Sequence, residues 1–110
     1  MITLQSIDAA QLAAAAAAIY TCPANTRAKD ISLTVCNDTT TAVTFTLYKV
    51  PSGGSAGDTN ILVNQETLGS RESKVVEQLI GQILEAGDAI YGLASAADQV
   101  TYSGGVLEKT

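Results

Sequence analysis

Apolar and polar positions alternate with a period of two along two stretches of the chain, Ile31 to Cys36 and Val43 to Val50. In the first, Ile31, Leu33 and Val35 fall on one face, and Ser32, Thr34 and Cys36 on the other. After the polar run Asn37-Asp38-Thr39-Thr40-Thr41 the alternation resumes, with Val43, Phe45 and Leu47 against Thr44, Thr46 and Tyr48. Successive side chains of a strand point to opposite faces. The pattern therefore predicts a β-hairpin with one apolar surface and one rich in hydroxyl groups.

The rest of the chain divides at turn signals. Residues 1–10 have no compelling pattern and read as an edge strand or an extended arm ahead of a single domain at 11–110. Six alanines, Ala13 to Ala18, favour a helix by propensity, but Ile19-Tyr20-Thr21-Cys22 is β-prone and ends at Pro23. A strand is expected over 19–22, and the alanines stay open between helical and extended. Pro23-Ala24-Asn25-Thr26 is a turn by composition, and the glycine-rich Pro51 to Asp58 is a surface loop between strands. Asn60 to Leu68 reads as a strand. Val75, Val76, Leu79, Ile80 and Ile83 have helical spacing, yet Gly81 and the surrounding β pattern favour short strand pieces around a turn. A tight turn at Glu85-Ala86-Gly87-Asp88, strands at 89–95 and 99–103, and a break or bulge at Gly104-Gly105 complete the reading. Short strands at regular turn spacing predict an all-β fold, an antiparallel sandwich or barrel of about seven or eight strands.

Composition changes this picture in one respect. A chain of 110 residues with 46% hydrophobic content suits one folded domain, but alanine supplies much of that figure and aromatics only 5%. So thin a core is commonly supplemented by oligomerisation. A net charge of −5 with no basic cluster argues against nucleic acid and against an anionic membrane surface as partners. No apolar run reaches membrane-spanning length. No basic region precedes an apolar stretch at the start, so no secretory leader is expected.

Chemistry is sparse. The absence of histidine removes the Ser-His-Asp and Cys-His arrangements and the usual zinc sites. No enzyme, cofactor or metal is expected. Asp30, Asp38 and Asp58 lack calcium-loop spacing and read as turn caps, and Glu85 and Asp88 as solvated groups flanking a turn. The 51–58 loop lacks the terminal Gly-Lys-Ser/Thr of a phosphate loop. Cys22 and Cys36 are close enough in sequence for a disulfide, but two free, wholly or partly buried thiols are the more ordinary state. Tyr20, Tyr48, Tyr91 and Tyr102 would stack sugars if they shared one exposed face. An interface with a neighbouring subunit is the commoner use of such residues.

Four segments carry a resemblance: Ile19-Tyr20-Thr21-Cys22-Pro23-Ala24, Leu33 to Asn37, Leu47 to Ser55 with its Lys-Val-Pro-Ser-Gly-Gly core, and Leu84 to Ile90. Together they make the chain, from about Leu12 to Gly105, similar to small virion structural proteins of tailed bacteriophages. The resemblance implies a jelly-roll-like β-sandwich that decorates or cements the capsid from outside the major capsid protein lattice, as a homotrimer. It also implies an extended alanine tract. The expected location is the capsid surface of the virion, after synthesis in the host cytoplasm. Related modules of tails, baseplates and fibres are the alternative, and a carbohydrate-binding module is a third reading. Candidate interface residues are Ser32, Thr34, Thr44, Thr46 and Tyr48 of the hydroxyl-rich surface, together with Tyr20, with residues 1–10 as an arm able to add a strand to a neighbour.

Overall fold

The computed structural model describes residues 1–110. The strands are β1 (Ile2–Gln11), β2 (Ala17–Thr21), β3 (Arg27–Asn37), β4 (Val43–Val50), β5 (Ile61–Leu68), β6 (Ser73–Val75), β7 (Ile83–Leu84), β8 (Ala89–Ala94) and β9 (Val100–Lys109), with one 3-10 turn at Glu77–Leu79. They form two antiparallel sheets. Sheet A has the order β1-β9-β3-β6, with β7 also on β3, and sheet B the order β2-β8-β4-β5. The chain is an all-β sandwich, as its turn spacing predicts. The alanine tract is not helical: it bends at Ala14 and Ala15, and its end, Ala17 and Ala18, forms the start of β2.

The inner faces meet in one core. Leu33 and Val35 from β3, Val100 and Val106 from β9, and Leu84 from β7 pack against Phe45 and Leu47 from β4, Leu68 from β5 and Ile90 from β8. Leu12, Cys22 and Leu79 close it from the connections. Fully burying one such aliphatic side chain contributes about 1.5–3 kcal/mol. Cys22 is buried and Cys36 half-buried, and both are free thiols. The Cys22 thiol donates to the Thr26 carbonyl oxygen at 3.2 Å, and burial pushes its pKa up.

The segment 31–50 departs from the predicted hairpin. β3 and β4 do not pair: β3 lies in sheet A and β4 in sheet B, and the 38–42 connection crosses between the layers. Two amphipathic strands bury their apolar faces equally well side by side in one sheet or opposed across a core, so alternation cannot separate the cases. Asn37 decides it locally. Its buried Nδ2 donates to the carbonyl oxygens of Thr41 (2.8 Å), Gly69 (3.0 Å) and Leu68 (3.3 Å). Its Oδ1 accepts from the Thr39 N–H at 2.9 Å and the Thr39 hydroxyl at 2.8 Å. The end of a sheet A strand is thereby tied to the end of β5 in sheet B. The true hairpin is β4–β5, joined through the 51–58 loop.

A second departure lies at Ile31. A bulge between Asp30 and Ser32 shifts the register of β3 on β9. One extra residue reverses the face of everything on one side of it. Ile31 is thus pushed to the surface, 46% exposed, while Asp30 is fully buried, mid-strand rather than in a turn. Gly104 and Gly105 do not break β9, which continues to Lys109. Gly104 is required by close approach, since a Cβ there would overlap the Ser32 carbonyl oxygen and stand 3.0 Å from the Leu33 Cα. Gly87 supplies the left-handed turn conformation expected of it, at φ 86°. The helical spacing of 75–83 resolves into β6, the 3-10 turn and β7, strand pieces around a turn as read from Gly81.

Both carboxyl oxygens of Asp30 lack a hydrogen-bond partner. Burial pushes its pKa from 3.8 up to about 7, with the Ser32 amide pulling weakly the other way. The folded state therefore holds this proton where the unfolded chain has released it. Stability is full below the unfolded value and is lost as pH rises through about 7. In Asp30→Asn that pH dependence is expected to vanish. Urea unfolding between pH 4 and 8 checks it, with a wild-type loss on the order of 3 kcal/mol. Gly104→Ala should cost about 2–4 kcal/mol by forcing β9 off β3, read as a lower urea midpoint.

Candidate docking face

Cross-strand partners share a face, so the register of sheet A defines its outer surface row by row. At one end Ile2, Lys109 and Arg27 lie abreast, followed by Leu4, Leu107, Lys29 and Ile83. Further along come Ser6, Gly105 and Ser32, then Ser103, Thr34 and Val75. The large apolar side chains left exposed by this chain are Met1, Ile2, Leu4, Ile31, Val75, Ile80 and Ile83. All belong to sheet A or to the strap joining β6 to β7, or stand beside β1, and none belongs to sheet B.

Ile2, Ala28, Ile83 and Leu107 line a groove of about 380 Å³ together with Arg27, Lys29 and Lys109. Three of the six basic residues of an otherwise acidic chain therefore stand around one apolar depression. Arg27 is committed: its Nε and Nη2 donate to the two carboxylate oxygens of Glu85 at 2.8 and 2.7 Å. That fork holds the Glu85 carboxyl below the usual carboxylate range, although at such exposure it adds little stability. Lys29 and Lys109 have no ion-pair partner and remain available.

The hydroxyl-rich residues read from the sequence do not form one surface. Ser32 and Thr34 face outward on sheet A, whereas Thr44, Thr46 and Tyr48 belong to sheet B. The crossing at Asn37 sends the polar faces of β3 and β4 to opposite sides of the sandwich. Thr46 is buried, and its hydroxyl accepts the Gln65 N–H at 3.1 Å where β5 bulges. Gln65 takes a left-handed conformation there, φ 50°. Tyr48 stands directly beside Tyr91 on sheet B, both half-buried. Tyr20 points between the sheets, where its hydroxyl donates to Glu108; burial, reinforced by that carboxylate, pushes its pKa far up. Tyr102 packs against the core, so the four tyrosines share no single face.

Among the other acidic residues the turn cap is Asp88, which the sequence presents only as a solvated group, while Asp38 bonds a side chain of β1. The Asp88 carboxylate accepts the N–H groups of Ser52 and Glu85, both at 3.0 Å. Asp38 accepts the Gln11 side-chain amide at 3.1 Å. Sequence reasoning missed Ile2, Leu4, Val75, Ile83 and Leu107 as surface residues. Residues 1–10 show no compelling pattern, and at the others the apolar side chain does not reveal whether its face is covered.

No family model matches the chain, and no curated protein does. Solved structures share the fold. A subunit of the Bacillus endospore appendages, described as a novel family of disulfide-linked pili, is 23% identical with a TM-score of 0.51, over 99% of this chain and 88% of that one. A chain of infectious bursal disease virus, Gt strain, is 8% identical with a TM-score of 0.53, over 98% of this chain. This protein spans about a third of that viral chain, 32%. The sandwich is thus one that pilus and viral proteins also use.

Tyr20→Phe leaves a charged acceptor, Glu108, without its donor. We expect a loss of about 1–2 kcal/mol in urea unfolding at neutral pH.

Proposed function

We propose that the chain is a structural subunit of a larger protein assembly, working by binding and not by catalysis. Its docking surface is the outer face of sheet A. The observation that carries this reading is the gathering of the exposed large apolar side chains on that sheet and its strap, beside free Lys29 and Lys109. An isolated monomer gains nothing from holding Ile2, Leu4, Val75 and Ile83 in water, and patches of this kind mark interaction sites. The finer form we favour is decoration of a tailed-phage head. There the subunit would lie on the outside of the major capsid protein lattice and raise the free energy needed to separate neighbouring capsomers. The resemblance of the turn segments to small phage virion proteins supports that form, and the occurrence of the fold in virus and pilus proteins agrees with a structural role.

A second reading has one observation in its favour. Tyr48 and Tyr91, side by side on sheet B, offer a short aromatic platform that would suit a glycan.

Ile83→Glu and Ile31→Glu place a charge where the side chain already meets water, so stability should stay within about 0.5 kcal/mol of wild type. Both variants should be lost from purified particles that retain the wild-type protein, and the stripped particles should be less resistant to heat. Immunogold labelling over the head supports decoration; label confined to the tail moves the subunit to a tail or fibre role. Particles that bind both variants as well as wild type overturn the sheet A face as the docking surface. Glycan-array signal abolished by Tyr48→Ala would promote the second reading.

A further inference from the structure

The outer edge of β1 is the longest unpaired backbone in the molecule. β1 runs ten residues, bonds only to β9, and buries a single side chain, Ile7. Natural sheets blunt such edges with lysine, proline, short length or a covering loop. The other edge of sheet A follows that rule, being broken into β6 and β7 of three and two residues around the 3-10 turn. β1 carries such devices only past Ile7, in Asp8 and the bulge before Ala10, whereas Met1 to Ile7 contains no charged side chain and no proline.

The hydrogen-bond phase of this edge can be read from its first pair. Met1 and Thr110 exchange both backbone bonds, Met1 N to Thr110 O at 3.1 Å and Thr110 N to Met1 O at 2.9 Å. In an antiparallel ladder bonded and non-bonded pairs alternate. Thr3, Gln5 and Ile7 therefore turn their backbone groups toward β9, and Ile2, Leu4 and Ser6 turn theirs toward the open side.

We propose that this edge pairs antiparallel with β1 of a second copy, about a two-fold axis through Leu4, joining two A sheets into one. The phase and the pleat select this register. Leu4 bonds to its own counterpart, Ile2 bonds to Ser6 of the other copy, and every pair keeps like faces together. Registers shifted toward the C-terminal end bring Asp8 into the ladder opposite Ile2. The register centred on Leu4 pairs the three outward residues Ile2, Leu4 and Ser6 entirely among themselves. Charge also favours β1 over the other edges as its occupant. Each copy carries a net charge of −5, and a seam over residues 1–7 brings no carboxylate near another, whereas β5 would present Glu66 and the β6 edge Glu72. The two docking faces become continuous across the seam, with Leu4 beside Leu4 and Ile2 on either flank. The pairing gives that face its partner in self-assembly and so rests on the reading of the chain as an assembling subunit.

Light scattering on the isolated full chain at about 100 µM tests it. The expected mass is twice the 11.3 kDa of one chain. Leu4→Pro and Ser6→Pro each remove only an outward N–H, which an edge strand tolerates. Both should keep the wild-type circular dichroism while weakening the dimer at least about tenfold. In a Cys36→Ser background, Leu4→Cys should oxidise to an interchain disulfide, since bonded antiparallel partners lie about 5.5 Å apart at Cα. Thr3→Cys should not. A monomer at this concentration, a trimer, or a dimer indifferent to both prolines overturns the proposal. Because the reading is made on isolated protein, it stands or falls separately from particle binding by the Ile31 and Ile83 variants.

Discussion

The buried carboxamide of Asn37 is the point on which the layer arrangement turns. It joins the end of β3 to the loop that follows and to the end of β5, so that consecutive strands are committed to different sheets. Its five bonds satisfy a group that would otherwise cost roughly 1–3 kcal/mol for each unmet donor or acceptor inside the protein. Everything downstream inherits that commitment. β4 finds β5 and β8 rather than β3, the apolar faces meet as opposed layers, and the polar faces of β3 and β4 look away from one another.

The two outer faces consequently differ in character. Sheet B covers itself: Thr46 is held by the Gln65 bulge, and the Thr44 N–H donates to the Ser95 hydroxyl oxygen. Sheet A leaves leucine and isoleucine in water beside unpaired lysines. The asymmetry is sharpened by the Asp30 bulge, which moves Ile31 outward and carries an acidic side chain inward in its place. A core that accepts an unpartnered carboxyl in this way gives up stability at neutral pH.

Much of the secondary structure was legible before any coordinates. Period-two alternation located β3 and β4, turn composition located Asn25 and Gly87, and Gly81 argued correctly against a long helix across 75–83. What alternation cannot carry is the identity of the neighbour. Leu33 and Phe45 look the same in sequence whether they lie side by side or face each other across a core. A bulge is equally silent, because Asp30-Ile31-Ser32 reads as ordinary alternation until the register on β9 is known. Alternation therefore merges two surfaces into one. Ser32 and Thr34 lie on the outer face of sheet A, whereas Thr44 and Tyr48 belong to the opposite side of the sandwich.

The position of β9 has a consequence for how the molecule comes into being. β9 is the last strand in chain order, yet it lies between β1 and β3 and supplies the ladder for both. During synthesis β4, β5 and β8 can assemble as soon as they leave the ribosome, whereas sheet A stays without its middle strand until the end of β9 has emerged. Closure then spans almost the entire chain, from Met1 to Thr110, and non-local pairing of this kind is slow, on the order of milliseconds to seconds. Throughout that interval both sides of β1 are unsatisfied, and the seven-residue segment without a charged side chain is open to any strand nearby. The order of emergence thus makes nascent chains on one polysome hazardous neighbours until β9 has closed on β1.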